Sequence, residues 1–333
     1  MKGTPVEARA RELGIPVLPL PASDPGLIGA IRRLRRNLQA ERPEILHAHD
    51  ARGLNLAWLA SQGLPIRRVV NRDVTFHPKF PGGRRLQSWK YSHTADLVLT
   101  CSDHIKQSLI RSGVPPSKIE VIYAAIEWPE QLPPTCNQSR SRAEWGFGED
   151  EFVAGHVGAF TPEKGQDIAI EAAALLKLRQ SNIRMVLAGE VSKKALLELR
   201  RRYPGFEDHV RLPGYVPDLG AFFSCLDLFI MPSRGEGLGI SALQAMAWGL
   251  AVVATNVGGL AEVVEDGETG WLVPPDDPAA LAEAIARAAS DRARLREMGL
   301  KARERARQFS SKLMVERTEE LYKKLSVVNS KIE

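Results

Sequence analysis

The feature that most constrains the fold is an alternation of short apolar strands with longer helical patterns, which runs through most of the chain. The strand-like segments are near-continuous apolar runs at Ile45–Ala48, Val69–Asn71, Leu97–Cys101, Ile119–Ile122, Phe152–Val157, Arg184–Leu187, Val210–Leu212, Leu228–Met231 and Ala251–Ala254. Between them lie amphipathic helical patterns, including Leu27–Ala40, Asp103–Ser112, Gln166–Leu178, Lys193–Arg202 and Ile240–Trp248. Apolar strands that are each followed by a helix indicate parallel sheets covered on both faces. The sequence therefore predicts an α/β protein with doubly wound parallel sheets.

The chain is long enough for two such domains. Its 333 residues correspond to about two domains, each able to bury its own core. A Pro-rich and polar stretch between Trp128 and Gly148 interrupts the alternation, which restarts at Phe152. Asp277-Pro278 is typical of a helix start and predicts a helix to about Ser290. We predict a first domain over residues 1–145, a second over 146–310 and a helical tail over 311–333.

The beginning of the first domain is unusual for this fold class. A doubly wound domain ordinarily opens with a strand, a Gly-rich turn and a helix. Here the first strand candidate, Val17–Leu20, leads directly to Pro21 and Pro25. We therefore expect the first domain to lack its opening strand–helix unit.

Composition limits the cellular setting. The three cysteines are far apart and lack the spacing of metal ligands, so a reducing compartment is expected. No apolar run approaches the roughly 18 residues of a membrane span, and residues 1–11 lack the apolar core of a secretory signal. A cytoplasmic protein is the expectation.

Charge is distributed unevenly between the two halves. Residues 1–145 carry 21 Lys and Arg against 13 Asp and Glu, whereas residues 146–333 carry 24 against 27. Within the first half, Arg32–Arg36 and Arg84–Tyr91 mix cations with apolar or aromatic residues, which favours contact with an anionic membrane surface. A solvated helix face explains the first of these segments equally well. Nucleic acid is not an expected partner, because no recognition motif accompanies the charge.

The segment from Pro232 to Gly239 carries the strongest chemical signal. It follows the strand Leu228–Met231 and precedes a helix, and its glycines allow a ligand to approach the backbone closely. Amide groups at the start of such a helix attract an anion, whereas the carboxylate of Glu236 suits sugar hydroxyls. Phosphate on the amides and a diol on the carboxylate together predict a sugar nucleotide. A simple capping turn would explain one glycine but not the whole loop.

Two further loops follow strands in the same half. The first, from His156 to Gly165, contains Lys164, which can place a point charge near a diphosphate. The second, from Asn256 to Gly259, precedes a short helix at Leu260–Val264. In open α/β sheets, ligands bind outside the carboxyl ends of the strands. Three such loops in one domain favour a phosphate-bearing ligand.

From about Phe152 to Val273, the chain resembles the nucleotide-binding domain of the family 4 retaining glycosyltransferases. These enzymes have two facing Rossmann-like domains, the GT-B architecture. The matching segments agree in order and spacing: Val157-Gly158 with Phe160 and Lys164-Gly165, Leu187–Glu190, Leu212–Val216, Pro232–Gly239, Ala245–Ala247, and Asn256–Gly259 with Glu262–Val264. The first half resembles the acceptor domain of the family more loosely, at Ile45–Asp50, Ala95–Val98 and Cys101-Ser102.

The resemblance implies roles for individual residues. Glu236 would contact the donor sugar, and Lys164 would neutralise the diphosphate; these are the two implied catalytic residues. The amides from Gly237 to Gly239 would bind sugar hydroxyls or the distal phosphate, and the segment at Tyr215 would hold the base. The implied donor-binding residues are Gly158, Tyr215, Val216, Gly237, Leu238, Gly239 and Gln244.

Two positions depart from the family pattern. Where the family has a second Glu eight positions after the first, to bind the ribose diol, this chain has Gln244. Gln can accept a hydrogen bond from one hydroxyl, but the bond is not charge-assisted. Where many members have Arg directly after the glycine that corresponds to Gly158, this chain has Ala159, which leaves Lys164 with less cationic support.

Candidates on the acceptor side lie in the first half. They are His49 and Asp50 at the end of one strand, and Arg72 and His77 after the next. His47-Ala48-His49 also has a spacing that a metal could use, but no further cluster of Cys or His supports it, and the family works without a bound metal. We expect no metal and no cofactor.

The prediction is a retaining glycosyltransferase that moves a hexosyl or related unit from a nucleoside-diphosphate sugar to an acceptor hydroxyl. The acceptor is expected to be a glycan or a lipid-linked molecule of cell-envelope synthesis, reached from the inner face of the plasma membrane. Two alternatives remain open at this stage. One is a catalytically impaired donor-binding or scaffold protein of the same fold, which Gln244, Ala159 and the missing opening strand–helix unit favour; the other is a sugar-nucleotide 2-epimerase.

Overall fold

The first of two sheets contains four parallel strands. The computed structural model describes residues 5–18, 26–74, 82–129, 142–143, 145–178 and 182–327. The strands β1 (Ile45–Ala48), β2 (Arg67–Arg72), β3 (Leu97–Thr100) and β4 (Ile119–Val121) lie side by side in chain order. The helices of this part are α1 (Pro5–Glu12), α2 (Gly26–Glu41), α3 (Ala51–Ala60), α4 (Gly83–Thr94) and α5 (Asp103–Arg111). Its core forms where Leu54, Tyr91 and Leu109 of these helices meet Val70 and Val98 of the sheet.

The second sheet contains six parallel strands in the order β10-β9-β8-β5-β6-β7. They are β5 (Phe152–Val157), β6 (Ile183–Ala188), β7 (Val210–Gly214), β8 (Leu228–Met231), β9 (Val252–Thr255) and β10 (Gly270–Val273). The helices are α6 (Gln166–Leu178), α7 (Lys193–Arg202), α8 (Leu219–Ser224), α9 (Ile240–Ala247), α10 (Leu260–Val263), α11 (Pro278–Ser290) and α12 (Arg292–Ala306). Between β5 and β8 the strand order reverses direction, which is where open sheets of this class bind ligands.

Both faces of the second sheet are buried. Alternate residues of one strand point to opposite faces, so Leu228 and Ile230 of β8 enter one apolar cluster while Phe229 and Met231 enter the other. All four side chains are fully buried. This two-sided burial explains why the strand is a continuous apolar run in the sequence.

The chain passes between the two sheets twice, and the two connecting segments are in contact. Ile126, which follows β4, forms an isolated parallel bridge with Ser310, which precedes the last helix α13 (Ser311–Val327). Trp128 lies under the guanidinium groups of Arg303 and Arg307, at 5.1 and 5.4 Å from its ring. Helix α13 then returns to the first sheet, where Tyr322 joins an apolar cluster with Val69.

The structure confirms the α/β class and the doubly wound parallel sheets. The predicted helix at Asp277-Pro278 is α11, and Asp277 Oδ1 accepts a hydrogen bond from the N–H of Ala280 at 2.9 Å. One expectation was wrong: Val17 and Leu18 lie outside any strand, and Pro19 and Leu20 lie outside the described residues. The predicted domain boundary, between 128 and 148, falls largely on residues that the structure does not describe.

The sequence also missed strand β10. Its four residues begin with Gly270, and Pro274 and Pro275 follow directly, so that the segment has the composition of a loop. The strand is stabilised by its pairing with β9, where Gly270 lies opposite Val252. A Cβ atom at Gly270 would lie 1.9 Å from the carbonyl oxygen of Val252, so only glycine fits there.

Candidate active site

Three loops meet at the carboxyl edge of the second sheet, because β5, β8 and β9, which they follow, are neighbours in it. Their backbones touch. A Cβ atom at Gly165 would lie 1.9 Å from the carbonyl oxygen of Pro232, and a Cβ atom at Gly258 would lie 1.9 Å from that of Glu236. These glycines therefore allow the loops to approach more closely than any other residue would. The three loops that the sequence singled out form one surface.

Glu236 and Lys164 form an ion pair at the centre of this surface. Lys164 Nζ donates to Glu236 Oε1 at 2.6 Å, and the hydroxyl of Ser233 donates to the same oxygen at 2.9 Å. The side chain of Glu236 is only 9% exposed, whereas that of Lys164 is 28% exposed. The carboxylate is thus held in place with its charge balanced, and the ammonium group is the more accessible partner. The structure brings the two predicted catalytic residues into direct contact.

Arg234 was not among the predicted site residues, but it joins two of these loops. Its guanidinium group donates to both carboxylate oxygens of Asp167 at 2.9 Å, to Asp276 at 2.5 Å and to the carbonyl oxygen of Pro162 at 2.6 Å. Its own N–H donates to the carbonyl oxygen of Glu163 at 2.7 Å. Such a forked arrangement is specific to Arg. Arg234 therefore fixes the turn that carries Lys164.

Buried polar groups shape the loop after β5. His156 is fully buried, and its Nδ1 lies 3.0 Å from the carbonyl oxygen of Ile230, to which it donates. Burial lowers the pKa of His156 to about 4, so that the ring is neutral at pH 7. Gln166 donates to the carbonyl oxygen of Ala159 at 2.9 Å and to that of Gly158 at 3.3 Å. These bonds hold the backbone at Gly158, which the resemblance assigns to donor binding.

The glycine segment after Glu236 faces the first domain. A Cβ atom at Gly237 would lie 2.2 Å from the carbonyl oxygen of Asp73 and 3.4 Å from Cys101 Sγ. Leu238 is buried, and Gly239 precedes helix α9 in the left-handed region at φ +99°. The positive φ is accessible to glycine at little cost. The structure therefore places the loop of residues 232–239, the predicted donor loop, against the end of β2.

The remaining predicted donor residues, Gln244, Tyr215 and Val216, lie on other elements of the second domain. Gln244 is half-buried on helix α9. Tyr215 and Val216 follow β7, which is separated from β8 by β5 and β6. Tyr215 is 72% exposed, whereas Val216 packs against the core. An exposed aromatic ring beside a fixed backbone is compatible with contact to a flat base.

The predicted acceptor-side residues that the structure describes are His49, Asp50 and Arg72, and they contact other parts of the first domain. Asp50 caps helix α3 by accepting from the N–H of Gly53 at 2.5 Å. His49 stacks on His47, with ring centroids 4.7 Å apart. Arg72, at the end of β2, is half-buried, and its charge opposes the rise in pKa that burial causes at Tyr91. His77 lies outside the described residues.

Asp73, directly after β2, lies where the two domains meet. Its carbonyl oxygen meets both Gly237 and Cys101 Sγ, so its backbone lies between the two domains. Burial raises the pKa of its carboxyl group, and the charges of His49 and Arg72 oppose that rise. Because contact with Gly237 depends on how the domains meet, the sequence carried no signal for this position.

Membrane-spanning helices and clusters of metal ligands are both absent from the described residues. Among them, no helix combines the length and the apolar character that a membrane span requires. No group of three or more His, Cys, Asp or Glu side chains in this part of the chain is placed to hold a metal ion.

Two parallel-sheet domains, with a Glu–Lys pair between glycine loops at the strand ends, match the GT-B architecture of glycosyltransferases. Family comparison agrees. The family described as "Glycosyl transferases group 1" matches residues 137–307, and the family described as "Glycosyltransferase Family 4" matches residues 2–127. The chain belongs to glycosyltransferase family 4 and is a glycosyltransferase.

Individual relatives support this membership. The chain is 29% identical over 312 residues to the putative glycosyltransferase EpsD of Bacillus subtilis, covering 90% of this chain and 81% of EpsD. It is 33% identical over 256 residues to a D-inositol 3-phosphate glycosyltransferase of Kribbella flavida, covering 73% of this chain but only 60% of that protein. Among solved structures, Anabaena HepE, described in complex with UDP and glucose, superposes with a TM-score of 0.84 at 23% identity, covering 96% of this chain and 89% of HepE.

Proposed function

We propose that this enzyme transfers a hexosyl or related unit from a nucleoside-diphosphate sugar to an acceptor hydroxyl, with retention of anomeric configuration. The observation that carries the proposal is the ion pair of Lys164 with Glu236 between the glycine loops. One partner suits a diphosphate and the other suits sugar hydroxyls, as a sugar nucleotide requires. The description of HepE with UDP-glucose is compatible with such a donor. Retention is the outcome that the family resemblance implies.

The proposed chemistry breaks the bond between the anomeric carbon and the diphosphate oxygen. The diphosphate leaves with the electron pair, and Lys164 and the loop amides stabilise its negative charge. The acceptor oxygen forms its bond to the anomeric carbon from the face that the diphosphate leaves, and its proton passes to a phosphate oxygen. Lys164 is placed to turn from Glu236 towards the diphosphate, because its ammonium group is the more exposed partner of the pair. Glu236 would then bind the sugar hydroxyls. No metal or cofactor enters this scheme.

We further propose that the acceptor is a glycan or lipid-linked molecule of the cell envelope, used at the inner face of the plasma membrane. Helix α4 supports this proposal. Leu86 and Trp89 are 57% and 50% exposed, and Arg84 and Arg85 beside them are exposed as well. A helix with an exposed apolar stripe and adjacent cations suits an anionic lipid surface.

A panel of radiolabelled UDP-, GDP- and ADP-sugars, each offered with extracted envelope glycans and lipids, tests the transfer. We expect one donor to label one acceptor, and proton NMR of the product to show the anomeric configuration of the donor. An inverted linkage would overturn the retaining mechanism. Absence of binding for every sugar nucleotide at millimolar concentration would overturn the donor assignment. A product inverted at C2 of the sugar, without transfer, would favour an epimerase, and binding without turnover would favour a scaffold.

Co-sedimentation with vesicles tests the membrane proposal separately. Binding to vesicles with anionic phosphatidylglycerol is expected to exceed binding to neutral phosphatidylcholine, and Trp89→Ala is expected to weaken it. Tyr215→Ala, which also removes an exposed aromatic ring but from the second domain, is the matched control. Equal binding of both vesicle types by the wild type would overturn the proposal.

A further inference from the structure

A carboxylate of the second domain binds the first turn of a helix in the first domain. Glu262 Oε2 accepts from the N–H of Asp103 at 2.8 Å, and Glu262 Oε1 accepts from the N–H of His104 at 2.8 Å. Helix α5 is thereby capped in two ways, because the hydroxyl of Ser102 accepts from the N–H of Ile105 at 3.3 Å. The positive end of a helix and a carboxylate attract each other strongly.

Glu262 is itself held firmly within its own domain. Arg305 donates to the carbonyl oxygen of Glu262 at 2.6 Å and to that of Val263 at 2.7 Å. Leu260, at the start of the same short helix α10, is fully buried. Burial raises the pKa of Tyr123, from the segment that leads out of the first domain, and the nearby Glu262 carboxylate adds to that rise. The backbone of α10 is therefore anchored independently of the carboxylate.

The contact of Glu262 with helix α5 lies close to the donor loop in both domains. Glu262 follows Gly259 by three residues, and the N–H of Gly259 donates to the carbonyl oxygen of Glu236 at 3.3 Å. On the other side, helix α5 directly follows Cys101-Ser102, and Cys101 Sγ donates to the carbonyl oxygen of Asp73 at 3.6 Å. That carbonyl group is the one that packs against Gly237. The first domain therefore contacts the second at two places near the donor loop: helix α5 binds Glu262, and the carbonyl group of Asp73 packs against Gly237.

We propose that Glu262 is a positioning residue, which sets the first domain over the donor loop so that the acceptor side at Asp73 meets Gly237. The kinetic consequence rests on the proposed function. Glu262 contacts neither the donor nor the acceptor in this proposal and acts through helix α5. If the Glu262 carboxylate is removed, the donor loop of the second domain keeps its structure, but the first domain is no longer held in a fixed position over that loop.

Glu262→Gln tests this assignment with little change in volume. One oxygen remains to accept, but the amide nitrogen is a donor and would face a second donor at the helix end. Glu262→Asp keeps the charge and shortens the side chain, so a partial effect is expected. Glu268→Gln is the matched control, since Glu268 pairs with Lys301 inside the second domain, at 2.8 Å.

Two measurements separate positioning from folding and from the proposed function. Hydrogen exchange of the amides at the start of α5 is expected to become about tenfold faster in Glu262→Gln, with later α5 amides and Glu268→Gln unchanged. For the enzyme, kcat of transfer is expected to fall by about tenfold or more, while the affinity for the nucleoside diphosphate of the donor that the panel identifies stays within about twofold of the wild type. Because the donor stays bound while the acceptor is displaced, the ratio of donor hydrolysis to transfer is expected to rise.

Unchanged exchange at Asp103 and His104 in Glu262→Gln would overturn the contact, whatever the activity. Faster exchange with unchanged kcat and unchanged hydrolysis ratio would overturn the positioning role. If the wild type transfers no sugar from any donor, the proposed function fails, and the exchange result still decides whether Glu262 holds the two domains together.

Discussion

Lys164 and Glu236 lie 72 positions apart in the chain, and their side chains meet at 2.6 Å across two neighbouring loops of the second sheet. The pair is compatible with two states of the site. With no ligand bound, the two charges neutralise each other; with a diphosphate bound, the ammonium group gains a competing anion. In the absence of a donor, Lys164 therefore offsets the cost of burying the charged carboxylate of Glu236.

The ion pair predicts a large loss of activity from either partner. Glu236→Ala is expected to lower kcat of transfer by about 100- to 1000-fold, because the group that would hold the donor sugar is removed. Lys164→Gln is expected to have an effect of similar size on kcat, and also to destabilise the fold by about 1–3 kcal/mol, since the Glu236 carboxylate is left without its cation. Steady-state kinetics and thermal unfolding measure the two effects.

Glu163→Ala is the control for both variants, because Glu163 lies on the same turn but is exposed. Its kinetics and Tm should match those of the wild type. Transfer by Glu236→Ala at the wild-type rate would refute the role assigned to the carboxylate.

Glycine substitutions separate the contact between the domains from contacts within the second domain. In Gly237→Ala the new Cβ atom would lie 2.2 Å from the carbonyl oxygen of Asp73 in the first domain. We expect the cleft to open, so that kcat falls while Tm stays within about 2 °C of the wild type. In Gly258→Ala, alanine would have to adopt a positive φ and its Cβ atom would clash with Glu236 of the same domain, so both Tm and affinity for the donor nucleotide are expected to fall.

Gly235→Ala completes this series, because nothing lies within 4 Å of a Cβ atom at that position. Its Tm is expected to be unchanged. A drop in Tm for Gly237→Ala as large as that for Gly258→Ala would show that Gly237 is needed for folding rather than for domain contact. Differential scanning fluorimetry measures Tm, and titration with the nucleoside diphosphate of the donor that the panel identifies measures affinity.

Burial of His156 predicts a pH dependence of stability. Its folded-state pKa of about 4 lies below the ordinary value of 6.5. The unfolded chain therefore takes up a proton first as pH falls, and the free energy of unfolding decreases between pH 6.5 and 4 by about 3 kcal/mol from this group. Denaturant unfolding at several pH values measures the slope, which should be shallower in His156→Gln than in the wild type.

His93→Gln is the control, since His93 is exposed on helix α4 and stacks on Trp89. It should keep the acid slope of the wild type. The comparison uses slopes rather than absolute stabilities, because loss of the bond to Ile230 will itself lower the stability of His156→Gln. An identical slope in His156→Gln and the wild type would contradict the prediction.

Most of the second domain could be predicted from its sequence, because the signals were local. Strand β8 is an apolar run with a Gly-rich loop directly behind it, and helix α11 begins at the Asp277-Pro278 pair. Glu236 and Lys164 were found because each lies in a loop directly after a strand. Contacts between distant positions carried no such signal. Glu262 meets Asp103 across 159 positions, and neither residue type nor spacing indicates the pairing.

Arg234 offers the last prediction, because its fork is a property of Arg rather than of positive charge. Lys at this position can reach one of the two Asp167 oxygens but cannot span both, so Arg234→Lys is expected to lower Tm by about 2–4 °C. The turn that carries Lys164 would also lose its anchor at Pro162, and kcat of transfer is expected to fall by about tenfold. Arg200→Lys is the matched control, since its forked pair with Glu207 is exposed and should contribute little. If both variants behaved like the wild type in thermal unfolding and in kinetics, the fork of Arg234 would have no part in holding the site together.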